Sequence, residues 1–241
     1  MSVSLKPFGL AAALAVVSAC SPGAPAADTA GDASSADAAA PAPAAAPADA
    51  MATAAAATDT AAPAAPQLHA AMRELWHGHI VHARDYAMAV HAGNDADAKA
   101  AADAVVDNAK QIAGAVGGFY GDAAGAQMMT LLGGHWGAVK AMTDARAKDD
   151  KAGADKAMAD LTANAGEIAK FLAGANPNLP EDTVRGLMLA HGAHHSSQIN
   201  LIMSGDTAGE ATEWTAMQAH MDMIADALAG AIAKQFPEKA S

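Results

Sequence analysis

The chain has 241 residues and a formal net charge of −12, with 14 basic and 26 acidic side chains. Because nucleic-acid binding needs clustered Lys and Arg to neutralise phosphates, this balance argues against a nucleic-acid partner. Aromatic residues make up 4% of the chain, although 52% of it is hydrophobic. This composition predicts a core of small and aliphatic side chains packed between helices.

Residues 1–19 have the pattern of a secretory signal peptide. A basic residue, Lys6, precedes an apolar run that begins at Phe8 and ends at Val17. The run is too short to span a bilayer as a helix, and small residues follow it where a signal peptidase would cleave. The pattern therefore predicts export from the cytoplasm.

The end of this leader, Val17-Ser18-Ala19-Cys20, resembles the lipobox of bacterial lipoproteins, and Cys20 is the single cysteine of the chain. The resemblance implies that Cys20 becomes the lipidated N-terminus, carrying acyl chains such as palmitate that anchor the protein in a membrane. Ser21 at the following position implies the outer membrane, with the protein facing the periplasm. The alternative is an ordinary signal peptide in which Cys20 occurs by chance.

Residues 21–66 consist almost entirely of Ala, Pro, Ser, Thr, Gly and Asp. Since this composition offers no periodic apolar face, we predict that the lipidated cysteine and the segment after it, residues 20–66, form a disordered tether. Residues 67–241 are then predicted to form the folded domain.

A pattern spaced by 56 residues occurs three times in this domain. Each copy has a Leu with a His four residues later, then a second polar residue, with a turn signal between the two polar positions. The Leu and His pairs are Leu75/His79, Leu131/His135 and Leu187/His191; the second polar residues are Asn108, Asn164 and His220; the turns are Gly93-Asn94, Asp149-Asp150 and Gly205-Asp206. The repeat predicts an all-α fold, a six-helix bundle made of three helical-hairpin repeats of 56 residues.

The first helices of the hairpins are predicted at 67–92, 123–147 and 181–204, and the second helices at 96–116, 152–173 and 208–234. Gly117-Gly118 and residues 176–180 are predicted to connect successive hairpins, because Gly and Pro interrupt helices. In the third copy an apolar stripe with helical spacing includes both His191 and His195.

The repeated polar residues are predicted to lie in one layer. His79 is about 14 residues before its turn and Asn108 about 14 residues after it, so an antiparallel hairpin places them at the same height. Neutral imidazoles are good ligands for copper and zinc. We therefore interpret the layer as a candidate transition-metal site. Its predicted ligands are His79, His135, His191 and His220; the predicted surrounding residues are Asn108, Asn164, Met188, His195, Met217 and Met221.

The alternative interpretation is structural. Buried His and Asn side chains can form hydrogen bonds between hairpins, as buried polar groups generally must, and Met side chains can fill an aromatic-poor core. The chain would then be a structural or interaction lipoprotein of the envelope, with a protein partner that the sequence does not identify. An enzyme is the weaker hypothesis, because we find neither a nucleophile motif nor the Glu-x-x-His pairs of di-iron bundles, and no catalytic residue is assigned.

Several short motifs occur along the domain: Leu75-Trp76 before His79, Arg84, Tyr120-Gly121, residues 164–172, residues 175–177 and Lys234-Gln235-Phe236. On these motifs, residues 74–240 resemble a family of uncharacterised bacterial all-helical proteins. The resemblance implies the helical fold and no particular activity. Members of that family often carry Glu directly before the repeated His, whereas this chain has Gly78, Gly134 and Ala190.

Overall fold

The computed structural model describes residues 65–240. The predicted signal peptide, the lipidation site Cys20 and the tether as far as residue 64 lie outside the described residues. Six α-helices and no strand form the described part: α1 Pro66–His91, α2 Asp95–Tyr120, α3 Asp122–Arg146, α4 Lys151–Ala175, α5 Glu181–Ser204 and α6 Thr207–Gln235. The prediction of an all-α, six-helix fold is confirmed.

The three predicted tight turns have the same local structure. In each, one residue adopts a left-handed backbone, with φ of 67° at Gly93, 54° at Asp149 and 73° at Gly205. The next residue caps the following helix by accepting a hydrogen bond from a backbone N–H three residues on. These capping residues are Asn94, Asp150 and Asp206. Gly, Asn and Asp serve here because they tolerate the left-handed conformation or cap helices with a side-chain oxygen.

The connection between α2 and α3 differs from the prediction. Gly117-Gly118 does not end the helix: α2 continues to Tyr120, and Gly121, with φ of 92°, makes the turn. A Cβ atom on Gly125 would lie 2.9 Å from the carbonyl oxygen of Ala113 and 3.2 Å from Gly117 Cα. Glycine at 117 and 125 therefore permits close packing of two helix backbones rather than chain reversal.

The helices form a bundle in which each helix packs against the next and α6 packs back against α1. The helices α1, α3 and α5 also contact one another, so they form the inner part of the bundle. Hydrogen bonds across the closing contact join α1 to α6, from Arg73 to Asp226 at 3.0 Å and between His77 and Asp222 at 2.9 Å. None of the helices in residues 65–240 combines the length and apolar character needed to cross a bilayer.

The apolar core has two parts. The larger cluster includes Trp76, Met128 and Met188, and the smaller one includes Val139 and Ile199 nearer the tight turns. Most core side chains are Ala, Ile, Leu, Met or Val, as the composition predicts. Along α1, α3 and α5 a layer of buried histidines falls between the two clusters. The fold therefore places polar groups at the centre of its apolar interior.

Candidate metal centre

Four histidines meet at the centre of the bundle: His79 on α1, His135 on α3, and His191 and His195 on α5. Each offers a ring nitrogen, and these nitrogens lie within 4.8 Å of one another. All four side chains are buried, with exposed fractions between 2% and 4%. We call these four residues the histidine cluster. Two neighbouring turns of α5 supply two of its rings, so three helices bring four imidazoles together.

The spacing of the rings agrees with a shared ligand. Distances between ring centroids run from 4.5 Å, for His191 and His195, to 6.0 Å, for His79 and His195. A tetrahedral zinc ion with zinc–nitrogen distances of about 2.0–2.1 Å would place its nitrogens about 3.3 Å apart and its ring centres about 5 Å apart. The cluster would need to contract by about 1 Å to bind an ion, which side-chain rotations can provide.

Most nitrogens of the cluster have no hydrogen-bond partner. Within residues 65–240, both ring nitrogens of His79, both of His135 and Nδ1 of His191 are buried and unpaired. The one hydrogen bond inside the cluster joins Nε2 of His191 and Nε2 of His195 at 3.1 Å. A buried polar group without a partner typically costs about 1–3 kcal/mol. Such a concentration of unpaired nitrogens is costly as a purely structural arrangement.

Burial keeps the cluster uncharged. Desolvation lowers the pKa of His79 to about 3 and that of His135 to about 4. Burial, together with the neighbouring imidazoles, also lowers the pKa values of His191 and His195 well below the usual histidine range. The imidazoles are therefore neutral near pH 7, and a neutral imidazole has the free lone pair that a metal ion binds.

The other half of the predicted layer is hydrogen-bonded. The side chains of Asn108, Asn164 and His220 donate to backbone carbonyl oxygens of the preceding helix, at 2.9, 3.0 and 2.9 Å. The acceptors are Leu75, Leu131 and Leu187, each four residues before a repeated histidine. We call these three contacts the hairpin hydrogen bonds. They join the two helices of each hairpin at the level of the histidine cluster.

Two glycines make room for these contacts. A Cβ atom on Gly78 would lie 2.9 Å from Asn108 Nδ2, and one on Gly134 would lie 3.1 Å from Asn164 Nδ2. The asparagine amides therefore reach the backbone only because no side chain precedes the histidine. Ala190 stands at the matching position of the third hairpin, where the longer imidazole of His220 makes the contact. This explains why the chain lacks the Glu that the resembling family often carries there.

Three of the four predicted ligands, His79, His135 and His191, lie in the histidine cluster. The fourth, His220, is equally buried but lies beside it: its ring centroid is 6.3 Å from that of His191, and its Nε2 donates to the Leu187 carbonyl oxygen. The fourth nitrogen of the cluster belongs instead to His195, which the sequence placed around the site.

The sequence does contain the signal for His195. His191 and His195 are four residues apart on one apolar stripe, so both face the core. The 56-residue comparison gave this position little weight, because Ala83 and Val139 occupy it in the other copies. The cluster thus has threefold-related histidines at three corners and an unrelated histidine at the fourth.

The remaining predicted neighbours have two different environments. Asn108 and Asn164 form hairpin hydrogen bonds, as described above. Met188, Met217 and Met221 are buried in the larger apolar cluster, with exposed fractions of 5%, 0% and 0%. The four converging donor atoms are nitrogens, with no thioether sulfur among them.

A second buried polar group, not anticipated from the sequence, lies near the cluster. Arg84 donates two hydrogen bonds to Glu210, at 2.7 and 2.8 Å, and the Gln198 amide donates to the same carboxylate at 3.2 Å. Hydrogen bonding to Arg84 lowers the pKa of Glu210, which keeps it ionised and paired. The network joins α1, α5 and α6 close to the histidines without adding net charge.

Comparison with known proteins gives no match. No protein-family model, no curated protein and no solved structure is significantly similar to this chain. What the chain does must therefore be inferred from its own residues and their geometry.

Proposed function

We propose that this chain is a membrane-anchored, extracytoplasmic binding protein that holds one transition-metal ion with His79, His135, His191 and His195. One observation carries the proposal: the nitrogens of four buried, neutral imidazoles converge within 4.8 Å, and most of them have no partner in the described part of the chain. A metal ion would satisfy these lone pairs together. No hydrogen-bonding scheme among the described residues does so.

Zinc and copper fit the donor set best. Neutral imidazoles suit both ions, whereas magnesium and calcium prefer oxygen ligands, which the cluster lacks. Four nitrogens at the corners of a rough tetrahedron suit Zn²⁺ and Cu⁺. Cu⁺ carries the smaller charge, so its burial among neutral ligands costs less desolvation energy.

The proposed role is binding rather than catalysis. Catalytic zinc sites keep one coordination position for water or substrate, whereas closed sites use four protein ligands. The histidine cluster supplies four nitrogens, and its exposed fractions of 2–4% leave no open face for a substrate. Storage, sensing or delivery of the ion are functions that a closed site of this kind serves.

The bundle is proposed to consist of three hairpin repeats. Three observations at 56-residue spacing support this organisation: the tight turns, the hairpin hydrogen bonds and the histidines at 79, 135 and 191. Each hairpin hydrogen bond spans 33 residues of sequence. In this arrangement, a repeated unit supplies three ligands and a single substitution, at residue 195, supplies the fourth.

The proposed location is the cell envelope, with the protein lipid-anchored through Cys20, most simply in the outer membrane and facing the periplasm. The support is the Val17-Ser18-Ala19-Cys20 motif at the end of an apolar leader. Metabolic labelling with palmitate tests it: the full chain should incorporate label, and Cys20→Ser should abolish incorporation. Equal labelling of both would exclude this anchor.

A second candidate function is a structural or interaction lipoprotein in which the His and Asn layer is a hydrogen-bonded core. The hairpin hydrogen bonds favour it, because they give Asn108, Asn164 and His220 a structural role. They do not involve His79 or His135, whose nitrogens remain unpaired among residues 65–240. The two candidates therefore differ in what the histidine cluster does.

A cobalt titration of the full chain separates them. Co²⁺ in a tetrahedral nitrogen site gives strong visible absorption, which should saturate near one equivalent in the parent protein. His135→Ala should abolish the absorption, while the matched variant Asn164→Ala, which breaks a hairpin hydrogen bond in the same hairpin, should retain it. No visible band in the parent, with both variants equally destabilised, would favour the structural candidate.

A further inference from the structure

A fifth buried imidazole connects the histidine cluster to the surface. The rings of His194 and His220 have centroids 5.0 Å apart, and His220 lies 6.3 Å from His191 of the cluster. His194 is partly exposed, with 23% of its side chain accessible, whereas His220 is 2% exposed. The three rings therefore form a continuous series from solvent to the centre of the bundle.

Hydrogen bonds fix which nitrogen of each outer ring can bind a metal ion. His194 Nδ1 contacts the carboxylate of Glu213 at 2.5 Å, and Ser197 holds that carboxylate at 2.8 Å. Because a carboxylate accepts, Nδ1 of a neutral His194 must carry the proton, which leaves a lone pair on Nε2.

The same reasoning applies to His220. Its Nε2 contacts the carbonyl oxygen of Leu187 at 2.9 Å, and a carbonyl only accepts. The proton must therefore be on Nε2, and the lone pair is on Nδ1, which is buried and has no partner within residues 65–240. Both outer rings thus have their tautomers set so that one nitrogen is free to coordinate.

This pair of imidazoles occurs in one hairpin of the three. At 56-residue spacing, the position of His194 holds His82 and Ala138, and the position of His220 holds Asn108 and Asn164. The asparagines form the same hydrogen bond as His220 but offer an amide oxygen, a poor ligand for transition metals. Replacing Asn by His at residue 220 keeps the hairpin hydrogen bond and adds a nitrogen donor.

We propose that His194 and His220 form the loading route through which a transition-metal ion enters the histidine cluster. This inference rests on the proposed function of the cluster. The ion first binds Nε2 of His194 at the surface, beside the negative charge of Glu213. It then exchanges to Nδ1 of His220 and from there to the ring of His191. Each step is an exchange of one neutral nitrogen ligand for another, so the charge and oxidation state of the ion do not change.

Stopped-flow mixing of the metal-free full chain with Co²⁺ tests the route, with the visible absorption of the bound ion as the readout. His220→Asn restores the residue of the other two hairpins, so it keeps the hairpin hydrogen bond while removing the nitrogen donor. We expect it to bind the parental amount of Co²⁺ at equilibrium but to load at least ten times more slowly. His194→Ala should load slowly as well. His82→Ala, at the matching position of the first hairpin, is the control and should load at the parental rate.

The outcomes separate the route from the site. Loading of both His220→Asn and His194→Ala at the parental rate would overturn the route and leave the metal site intact. Loss of equilibrium binding in His220→Asn would make His220 a resident ligand, which also overturns the route. A parent protein that binds no Co²⁺ would overturn the proposed function and the route with it. If His220→Asn does not fold, the rate ratio of His194→Ala to His82→Ala decides.

Discussion

The rings of His135 and His191 lie nearly parallel, with centroids 5.3 Å apart and planes inclined by 10°. They come from different helices and occupy equivalent positions 56 residues apart. Neither ring forms a hydrogen bond with the other. This close approach of two unpaired imidazoles is tolerable because both are neutral, and a bound ion would join them through their free nitrogens.

Metal binding should stabilise the fold. An ion that binds the folded chain alone, at a free concentration 100 times its dissociation constant, raises the free energy of unfolding by about 2.7 kcal/mol. Thermal unfolding of the full chain with and without zinc measures this increase. His135→Ala should unfold at the same temperature in both conditions, and a zinc effect of parental size in that variant would contradict the assignment.

The stability of the metal-free protein should fall in mild acid. The folded-state pKa is about 3 for His79 and about 4 for His135, against an ordinary value of 6.5. Above pH 6.5 neither the folded nor the unfolded state binds these protons, so stability is unaffected. Below it, the unfolded state alone takes them up, and each group removes up to about 1.4 kcal/mol per pH unit until its folded pKa is reached.

Denaturant unfolding of chelator-treated protein between pH 7.5 and pH 5 measures this slope. His135→Gln removes one buried imidazole and should reduce it. An unfolding free energy that is the same at both pH values would show that the cluster is not held neutral by burial.

The glycines before the repeated histidines should resist substitution. Gly134→Ala places a methyl group 3.1 Å from Asn164 Nδ2, which its hydrogen bond to Leu131 holds in place. We expect a loss of about 1–2 kcal/mol in the free energy of unfolding, since the amide must shift or lose its partner. The adjacent Gly133 has open space at its Cβ, so Gly133→Ala should instead stabilise the helix by up to about 1 kcal/mol. Equal effects of the two substitutions would refute the close-approach explanation.

A similar pair tests the contact between α2 and α3. In Gly125→Ala the new Cβ would lie 2.9 Å from the carbonyl oxygen of Ala113, a backbone atom that cannot rotate away. The helices must separate, and we expect a loss of about 1–3 kcal/mol. Gly114, on α2, has open space around it, so Gly114→Ala should be neutral or stabilising. Chemical denaturation of both variants provides the comparison.

The helices and turns could be predicted from sequence because their determinants are local. Gly93, Asp149 and Gly205 adopt left-handed backbone, and the capping residues follow them directly. Gly117-Gly118 misled the prediction for a physical reason. A glycine that allows two helices to approach and a glycine that ends a helix look alike in sequence, and the distance to Gly125 is visible only in three dimensions.

The site was predicted in part. Repetition identified His79, His135 and His191, because duplicated positions at equal height converge in a bundle. It could not separate coordination from hydrogen bonding at His220, since that depends on which way the ring faces. It also undervalued His195, whose nitrogen reaches the cluster from the next turn of α5. The network of Glu210 with Arg84 depends on helices 126 residues apart in sequence and left no local pattern.

Elemental analysis of the full chain tests the central claim most directly. The protein is purified without an affinity tag, supplied with copper and zinc, and compared with a variant in which His79, His135 and His191 are all replaced by Ala. The account predicts close to one equivalent of copper or zinc in the parent and none in a variant that remains folded by circular dichroism. No metal in the parent, together with unfolding of the variant, would contradict it and make the histidine cluster a structural element.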